Sequence, residues 1–360
     1  MPVKIGGLVG SGCNQLHDCK NLENGDITVS GDIFAVVKSS EIDSANGGTG
    51  YPETTISDYR TQNGSNGLGG LIGISSGANL YNCENHGDIN YSSDIQKVEG
   101  VSSVYAIVVG GLIGYSSNTL DQDEPSVNHG DITASGNQST FTLNVGGCFG
   151  RPTASNQGGG SNHGDITIKA TAPQFVVGGI FGSSSRGAWS NCTNTGHILI
   201  HDDAVVTGTG KSIVAGIGQQ ATPKEGVSTT WTNVHNEGNI TIAQNKATSA
   251  ASFYVAGVGH IIQKITYSSN TGNICAYNVH SDATKVLVGM ITSNGPSATK
   301  TVTGCLIQGT IQRNGDATPI EITEENYKQY VYNTADTANR ATECSTTEQP
   351  VPPTEEPAQE

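Results

Sequence analysis

Short apolar segments bounded by glycine recur along the whole chain and alternate with polar segments of similar length. The apolar residues are mostly β-branched or leucine, and the repeats lack the three- and four-residue spacing of an amphipathic helix. Apolar runs of about four to eight residues between turn-forming residues are typical of β-strands. The pattern therefore predicts an all-β protein.

Two motifs alternate through these segments. The first is an apolar strand with a glycine pair, and its copies start at Gly6, Gly69, Gly110, Gly146 and Gly178, with decayed copies at residues 215–217, 256–258 and 288–290. The second places a polar residue, a glycine and an isoleucine in close succession, at residues 24–27, 85–89, 128–132, 162–166, 194–198, 236–240, 270–274 and 308–311. Each first motif is followed by a second motif, so the chain contains eight repeats.

The repeats predict a right-handed parallel β-helix, or β-solenoid. A single repeat cannot bury its own apolar face, whereas stacked repeats build a continuous core. The spacing between the two motifs is nearly constant, so the length differences between repeats lie mainly in loops after the second motif. We expect one coil per repeat, with three strands in each coil, and two smaller coils per repeat are the alternative. The hand follows from the general preference of parallel crossover connections.

The repeat pattern divides the chain into three parts. Residues 1–317 form the predicted solenoid, and residues 39–66 are a surface insert that is rich in serine, threonine, glycine and asparagine. Residues 318–344 leave the pattern and predict a short cap. Residues 345–360 are rich in proline, glutamate and threonine, which predicts a flexible linker. Since such a linker usually joins two parts of a protein, we expect the chain to be a section of a longer one.

The predicted cap contains a helix start and an apolar face. Thr323 precedes two glutamates, which is the arrangement of a helix N-cap followed by an acidic first turn. Tyr327, Tyr330 and Val331 are expected to pack on the last coil, because the open end of a solenoid needs a cover.

The composition excludes several classes of partner. Glycine supplies 48 of 360 residues, only 34% are hydrophobic and only 14% are charged, which argues against a helical globule. The 17 basic and 32 acidic residues give a net charge of −15. Nucleic acids and anionic membranes attract basic surfaces, so neither is an expected partner. No apolar stretch is long enough for a transmembrane helix.

Several stretches of the chain resemble the GLUG motif, which is named for its Gly-Leu-any-Gly core. The matching stretches are residues 7–10, 70–73, 111–114, 82–89 and 191–196. The resemblance covers residues 5–312 and weakens after residue 210. It implies an extracellular repeat region of a large surface or secreted bacterial protein, such as an adhesin-like protein or an accessory region of an IgA peptidase. It carries no catalytic site, because the motif residues look structural.

The motif positions of the eight cysteines indicate that most of them are core residues. Cys83, Cys192 and Cys305 share one motif position, at which other repeats have serine, glycine or valine. Small residues that exchange at one site are typical of core filling, so we expect buried free thiols. Cys13 and Cys19 are the best candidates for a disulfide.

Polar residues also recur at fixed motif positions and predict columns along the solenoid. His86, His129 and His163 share one position, and Asp88, Asp131 and Asp165 lie two residues further on. Imidazole and carboxylate groups are metal ligands, but a solvated corner of stacked polar side chains is the favoured interpretation. A third column predicts an inward ladder of amides, formed by Asn85, Asn128, Asn162, Asn194, Asn236 and Asn270.

No motif predicts catalysis. The Gly-x-Ser-x-Gly pattern at residues 73–77 lies inside a repeat and lacks the strand–turn–helix context of a nucleophile elbow. The Gly-Lys-Ser sequence at residues 210–212 lacks the earlier glycine of a P-loop. We therefore assign no catalytic, cofactor-binding or metal-binding residue and expect no cofactor.

The sequence favours a noncatalytic adhesin or stalk segment at the bacterial cell surface. Such a monomeric, rigid rod presents loops to host glycans or surface proteins. Two alternatives stay open. One is a β-helix polysaccharide lyase or hydrolase that uses acids of the aspartate column. The other is a segment of a phage tail fibre or receptor-binding protein, which would form a stable trimer.

Overall fold

The computed structural model describes residues 4–31, 33–34, 66–75, 79–96, 107–116, 124–138, 142–153, 156–158, 160–184, 187–220, 229–244, 250–260 and 262–350. Within these ranges the regular elements are short β-strands and two 3₁₀-helices, at Ala283–Lys285 and Tyr327–Gln329. The prediction of an all-β fold is confirmed. The predicted insert at residues 39–66 lies outside the described residues except for Asn66, which begins a strand.

The strands of the first motif form one parallel sheet, called sheet A. Each strand pairs with the strand of the next repeat, and Gly69, Gly110, Gly146 and Gly178 lie in register. Its eight strands are Lys4–Gly6, Asn66–Gly69, Ile107–Gly110, Thr142–Gly146, Gln174–Gly178, Lys211–Ala215, Ser252–Ala256 and Val286–Gly289. One strand per repeat in this order agrees with one coil per repeat.

Sheet B follows sheet A after the glycine pair, and it is also parallel. Its strands are Val9–Ser11, Ile72–Ser75, Ile113–Ser116, Phe149–Pro152, Phe181–Ser184, Gly218–Gln220 and Gly259–His260.

Sheets C and D lie before and after the second motif. Sheet C contains Lys20–Asn21, Glu84–Asn85, Ser126–Asn128, Asn156–Gly158, Gly160–Asn162, Ala188–Asn194, Thr230–Asn236, Lys264–Thr266, Ser269–Asn270, Thr301–Thr303, Leu306–Ile307 and Ala341–Thr342. Sheet D contains Ile27–Val29, Ile89–Tyr91, Ile132–Ala134, Ile166–Ile168, Ile198–Ile200, Ile240–Ile242, Ile274–Cys275, Thr310–Gln312 and the antiparallel Ile320–Glu321.

A coil thus passes through four main sheets, and the expectation of three strands per coil is wrong. Three smaller pairs of parallel strands add to them: Gln15–His17 with Asn79–Tyr81, Ile33–Phe34 with Ile95–Gln96, and Thr171–Ala172 with Val205–Val206. In-register parallel stacking of successive repeats is the arrangement of a parallel β-helix. The right hand of the coil stays a prediction.

Rows of apolar side chains in register fill the interior. The isoleucine row of sheet D begins at the partly buried Ile27, and its following members are at most 1% exposed: Ile89, Ile132, Ile166, Ile198, Ile240, Ile274 and Ile311. Trp189 pairs in register with Trp231 and stacks on Phe181 at 3.9 Å between ring centroids. Burial of apolar surface contributes about 25 cal/mol per Å², so these rows supply the main driving force for stacking.

The two motifs meet inside the coil, where an asparagine of the second packs against the glycine pair of the first. A Cβ atom at Gly111 would overlap the carboxamide of Asn128 and the carbonyl oxygen of Gly147. The same relation holds between Gly147 and Asn162, and Gly111 and Gly147 are not among the residues with positive φ. These corners therefore require glycine because of close packing rather than because of a positive φ.

The predicted asparagine ladder is confirmed. In each step a side-chain Nδ2 donates to the Oδ1 of the next asparagine at 2.7–2.8 Å and to a glycine carbonyl of its own corner at 2.8–2.9 Å. The first member is Asn21, which donates to Asn85, rather than Asn24 of the first motif copy. All of these donors and acceptors are buried, and they are satisfied by the neighbouring coil or by the glycine of the same corner.

The C-terminal residues cover the last coil. The backbone N–H groups of Met290 and Ile291 donate to the carbonyl oxygens of Tyr330 and Val331 at 2.7 and 3.1 Å. Tyr327 and Val331 are buried against the core and Tyr330 is half-buried, as expected for the cap. The helix expected from Thr323 is reduced to the 3₁₀-helix Tyr327–Gln329, whose N-cap is Asn326.

The first residues of the predicted linker lie along this end of the solenoid. Gln308 Nε2 donates to the carbonyl oxygen of Thr346 at 2.9 Å, and Gln349 Nε2 donates to that of Gly304 at 3.0 Å. Residues 351–360 lie outside the described part of the chain.

We predict that replacing Asn162 by alanine lowers the free energy of unfolding by about 3 kcal/mol or more, because it removes three buried hydrogen bonds. The groups left without partners belong to Asn128, Gly164 and Asn194. Urea denaturation followed by circular dichroism measures the change. The exposed Asn90 is the matched control, and Asn90→Ala should change stability by at most about 0.5 kcal/mol. Equal effects of the two substitutions would contradict a stabilising ladder.

Candidate functional site

The corner between sheets C and D carries a column of three histidines. The ring centroids of His86 and His129 are 4.5 Å apart, and those of His129 and His163 are 5.1 Å apart, with the rings nearly parallel. The predicted histidine column is thus formed. It continues into Thr195, whose Oγ1 lies 3.1 Å from His163 Nδ1. The column exists because each histidine directly follows an asparagine whose place is fixed by the ladder.

Glu84 joins the histidine column from the adjoining strand. Side chains two residues apart on a strand point to the same face, so Glu84 and His86 lie side by side. His86 Nε2 is 2.6 Å from Glu84 Oε2. Lys20 pairs in register with Glu84 from the first coil, and its Nζ lies 2.7 Å from Glu84 Oε1. The sequence pattern did not single out Glu84 or Lys20, although the two-residue spacing to His86 is the signal that places Glu84 there.

The surroundings of the column lower the pKa of both Glu84 and His129. Hydrogen bonds from Lys20, and then from His86, lower the pKa of Glu84, so its carboxylate is ionised at neutral pH. Desolvation, followed by repulsion from His86 and His163, lowers the pKa of His129. A neutral imidazole has a free lone pair on one ring nitrogen, which is the form that binds metal ions.

Glu84, His86 and His129 each offer one ligand atom, and these atoms lie within 4.8 Å of one another. In the described part of the chain, these residues form the one group of three or more potential ligands with such spacing. The stacked histidines at this corner therefore have the carboxylate of Glu84 beside them, which the comparison of the motifs did not include. We refer to Glu84, His86 and His129 as the histidine–glutamate cluster.

The aspartate column holds the backbone of neighbouring coils. Asp88 Oδ1 accepts from the backbone N–H of Asp131 at 2.8 Å, and Asp131 Oδ1 accepts from that of Asp165 at 2.8 Å. The same kind of bond begins at Asp26 and continues beyond His197 through Asn239 and Asn273 to Thr310. Desolvation, and the charges of Asp165 and Asp88, raise the pKa of Asp131. These contacts explain why a short acceptor side chain recurs at this corner.

Two residues from the apparent sequence motifs lie in ordinary strand positions. Ser75 is fully buried and ends the strand Ile72–Ser75 of sheet B, which does not match the sharp exposed turn of a nucleophile elbow. Lys211 begins the strand Lys211–Ala215, and its Nζ lies 5.2 Å from the ring centroid of Tyr254. Neither position forms part of the histidine–glutamate cluster.

The eight cysteines are free thiols, and five of them are buried. Cys13 and Cys19, the pair favoured by the sequence, each donate to a backbone carbonyl instead. The pairing of Lys20 with Glu84 places Cys19 beside Cys83 in the neighbouring coil. The pairing of Thr303 with Thr342 likewise places Cys305 beside Cys344.

Comparisons of the chain with protein-family models, with curated proteins and with solved structures found no match. The likeness to GLUG repeats therefore rests on the sequence motifs alone. Among the described residues, no helix has the length and apolar character needed to cross a bilayer.

We predict that Asp131→Ala lowers the free energy of unfolding by about 1 kcal/mol, since it removes the acceptor for the Asp165 N–H. Asp131→Asn keeps an acceptor oxygen and removes a charge that Asp88 and Asp165 repel, so at pH 7 it should be at least as stable as the parent. Thermal unfolding of the three proteins measures both effects. An equal loss in the two variants would show that the charge, rather than the hydrogen bond, is what stabilises the corner.

Proposed function

We propose that the chain is a noncatalytic segment of a bacterial cell-surface protein, a stalk or adhesin in which a rigid rod presents recognition surfaces to host glycans or proteins. The observation that carries this proposal is the continuous register of sheets A to D through successive coils. A rod of this kind keeps its outer loops at fixed distances from one another, which suits recognition of an extended or repeating partner.

The side-chain ladders support this mechanical role. The asparagine ladder ties neighbouring coils together from the inside, and the aspartate column ties them at the adjoining corner. Because each coil contacts mainly its neighbours, stability grows with every added repeat.

The surface charge is compatible with a glycan or protein partner. The chain has a net charge of −15, and its motif corners present neutral or acidic side chains such as Asp88, Thr195 and Asn273. Polar groups of this kind form hydrogen bonds with hydroxyl and amide groups of a partner. They are poorly suited to the phosphate backbone of nucleic acids, which attracts lysine and arginine.

The polysaccharide lyase or hydrolase remains the main alternative. Its acids would come from Asp88, Asp131 and Asp165, but one oxygen of each accepts a backbone hydrogen bond from the next coil. Glycoside cleavage also needs two carboxyl groups with different roles, whereas all three of these carboxylates make the same backbone contact with the next coil. We therefore favour binding over cleavage.

We expect the purified protein to bind members of an array of mucosal glycans and matrix proteins without releasing new reducing ends from any bound polysaccharide. A reducing-sugar assay on the bound polysaccharides, with the heat-unfolded protein as the control, measures cleavage. If the folded protein released new reducing ends and Asp131→Asn abolished this release, the noncatalytic function would be overturned.

Light scattering of the same preparation should show a monomer, and a stable trimer would favour a phage fibre instead. Failure to bind any glycan or protein of the array would contradict an adhesin.

A further inference from the structure

We propose that Glu84, His86 and His129 bind one divalent transition-metal ion, and that zinc fits the site best. Two imidazoles and one carboxylate are a common zinc ligand set, and they leave a fourth position for water. Calcium and magnesium prefer sites made of oxygen ligands, so they fit less well. This inference concerns the histidine–glutamate cluster and is independent of the proposed binding of host glycans.

The geometry needs only side-chain movement to close around the ion. Zinc bonds of about 2.0–2.1 Å in a tetrahedral arrangement place ligand atoms roughly 3.4 Å apart. The three ligand atoms already lie within 4.8 Å of one another. The side chains of His86 and Glu84 are 26% and 22% exposed, so they can rotate, whereas the backbone beneath them is held by the asparagine ladder. The stacked rings must tilt towards each other to direct their lone pairs at one point.

The positive charge of Lys20 opposes metal binding at Glu84. It occupies Oε1 of the carboxylate at 2.7 Å, while Oε2 lies beside His86 Nε2. An ion that binds through Oε2 would take the place of the proton between Glu84 and His86, and Lys20 could stay on Oε1. Because the ammonium group repels a cation, removing it should strengthen metal binding. If the cluster were only a set of structural polar contacts, removing the ammonium group of Lys20 would not strengthen metal binding.

The chain also offers a matched control. His201 Nδ1 lies 3.2 Å from Asp203 Oδ2, which makes a histidine–carboxylate pair on the same protein. This pair is not part of any group of three ligands among the described residues. The His201–Asp203 pair therefore shows how much zinc one histidine and one carboxylate bind without a second imidazole.

The test is a titration of the chelator-treated full chain with zinc chloride, followed by isothermal calorimetry and by competition with a chromophoric chelator. We expect one ion per chain, with at least tenfold weaker binding in Glu84→Gln, His86→Gln and His129→Gln. His201→Gln should bind as the parent does, and Lys20→Ala should bind several-fold more tightly. Cobalt in place of zinc should give the intense visible absorption of a tetrahedral site.

Failure to bind zinc at micromolar concentrations would overturn the proposal. So would equal affinity of the parent and the folded His129→Gln variant. All of the substituted side chains are at least partly exposed, and circular dichroism of each variant establishes that it is folded. A loss in His201→Gln equal to that in His129→Gln would show nonspecific binding by surface histidines.

We also infer, from a different set of contacts, that Cys19–Cys83 and Cys305–Cys344 are two disulfide-forming pairs that join neighbouring coils near the two ends of the solenoid. Cys19 and Cys83 directly precede the paired residues Lys20 and Glu84, and Cys305 and Cys344 directly precede the paired residues Leu306 and Ser345. Adjacent parallel strands lie about 4.8 Å apart, which is within the Cα separations that disulfides span.

The two cysteines of each pair lie side by side in neighbouring coils. Within each pair both thiols donate to the backbone carbonyl oxygen two residues earlier, so the two side chains point the same way. The strand backbones around them are held in register, for example by the 2.9 Å bond from Ser345 N–H to the Cys305 carbonyl oxygen. Two cysteines held at the spacing of adjacent strands need little backbone movement to form a disulfide.

Oxidation by a small disulfide such as glutathione disulfide completes the chemistry. The thiolate of one cysteine attacks the glutathione disulfide and releases one glutathione thiolate. The thiolate of its neighbour then attacks the mixed disulfide and releases the second. Two protein thiols become one disulfide, the glutathione disulfide is reduced to two thiols, and each protein thiol gives up its proton.

Mass spectrometry of the folded chain after this treatment tests the inference. We expect a loss of four hydrogen atoms, with peptide maps that show Cys19 joined to Cys83 and Cys305 to Cys344. Cys344→Ser should lose only two hydrogen atoms, and Cys275→Ser, which replaces a half-buried cysteine of sheet D, should still lose four. The melting temperature should rise by several degrees on oxidation. A Cys13–Cys19 bond, or eight alkylatable thiols after oxidation, would overturn the proposal.

Discussion

The fit of an asparagine carboxamide beside a glycine pair is the constraint on which the rest of this structure depends. The carboxamide of Asn128 occupies the space that a Cβ of Gly111 would need, and it bonds to both neighbouring coils. A larger residue at the glycine would displace the amide, and an apolar residue at the asparagine would leave buried carbonyl groups unsatisfied. The two motifs recur together because neither can change without the other.

This internal constraint also determines the outer surface. Once the ladder fixes the corner, the residues that follow the asparagine stack at the spacing of adjacent coils, about 4.8 Å. Like side chains then meet like side chains, as with His86 and His129 or Asp88 and Asp131. The aspartates relieve their repulsion by accepting backbone N–H groups. In the histidine column, desolvation and the neighbouring imidazoles lower the pKa of His129, which favours its neutral form.

The sequence predicts the coils well because both motifs are local, but it predicts lateral neighbours poorly. Alignment on the glycine selects Asn24, whereas the register places Asn21 in the ladder, because the first corner is two residues longer than the others. The same register brings Lys20 to Glu84 and Cys19 to Cys83. These contacts join residues that are a whole coil apart in sequence, so only the stacking of the strands brings them together.

Departures from the repeat, rather than the repeat itself, are what give this solenoid a local chemistry. The bonds of the ladder are the same in every coil, so they cannot distinguish one position along the rod from another. The position after the asparagine does vary, from Leu22 through the histidines His86, His129 and His163 to Thr195. Glu84 and Lys20 occur beside this column only near its start. A uniform scaffold with a varied outer row can therefore carry a specific site on one coil without changing the packing that holds the coils together.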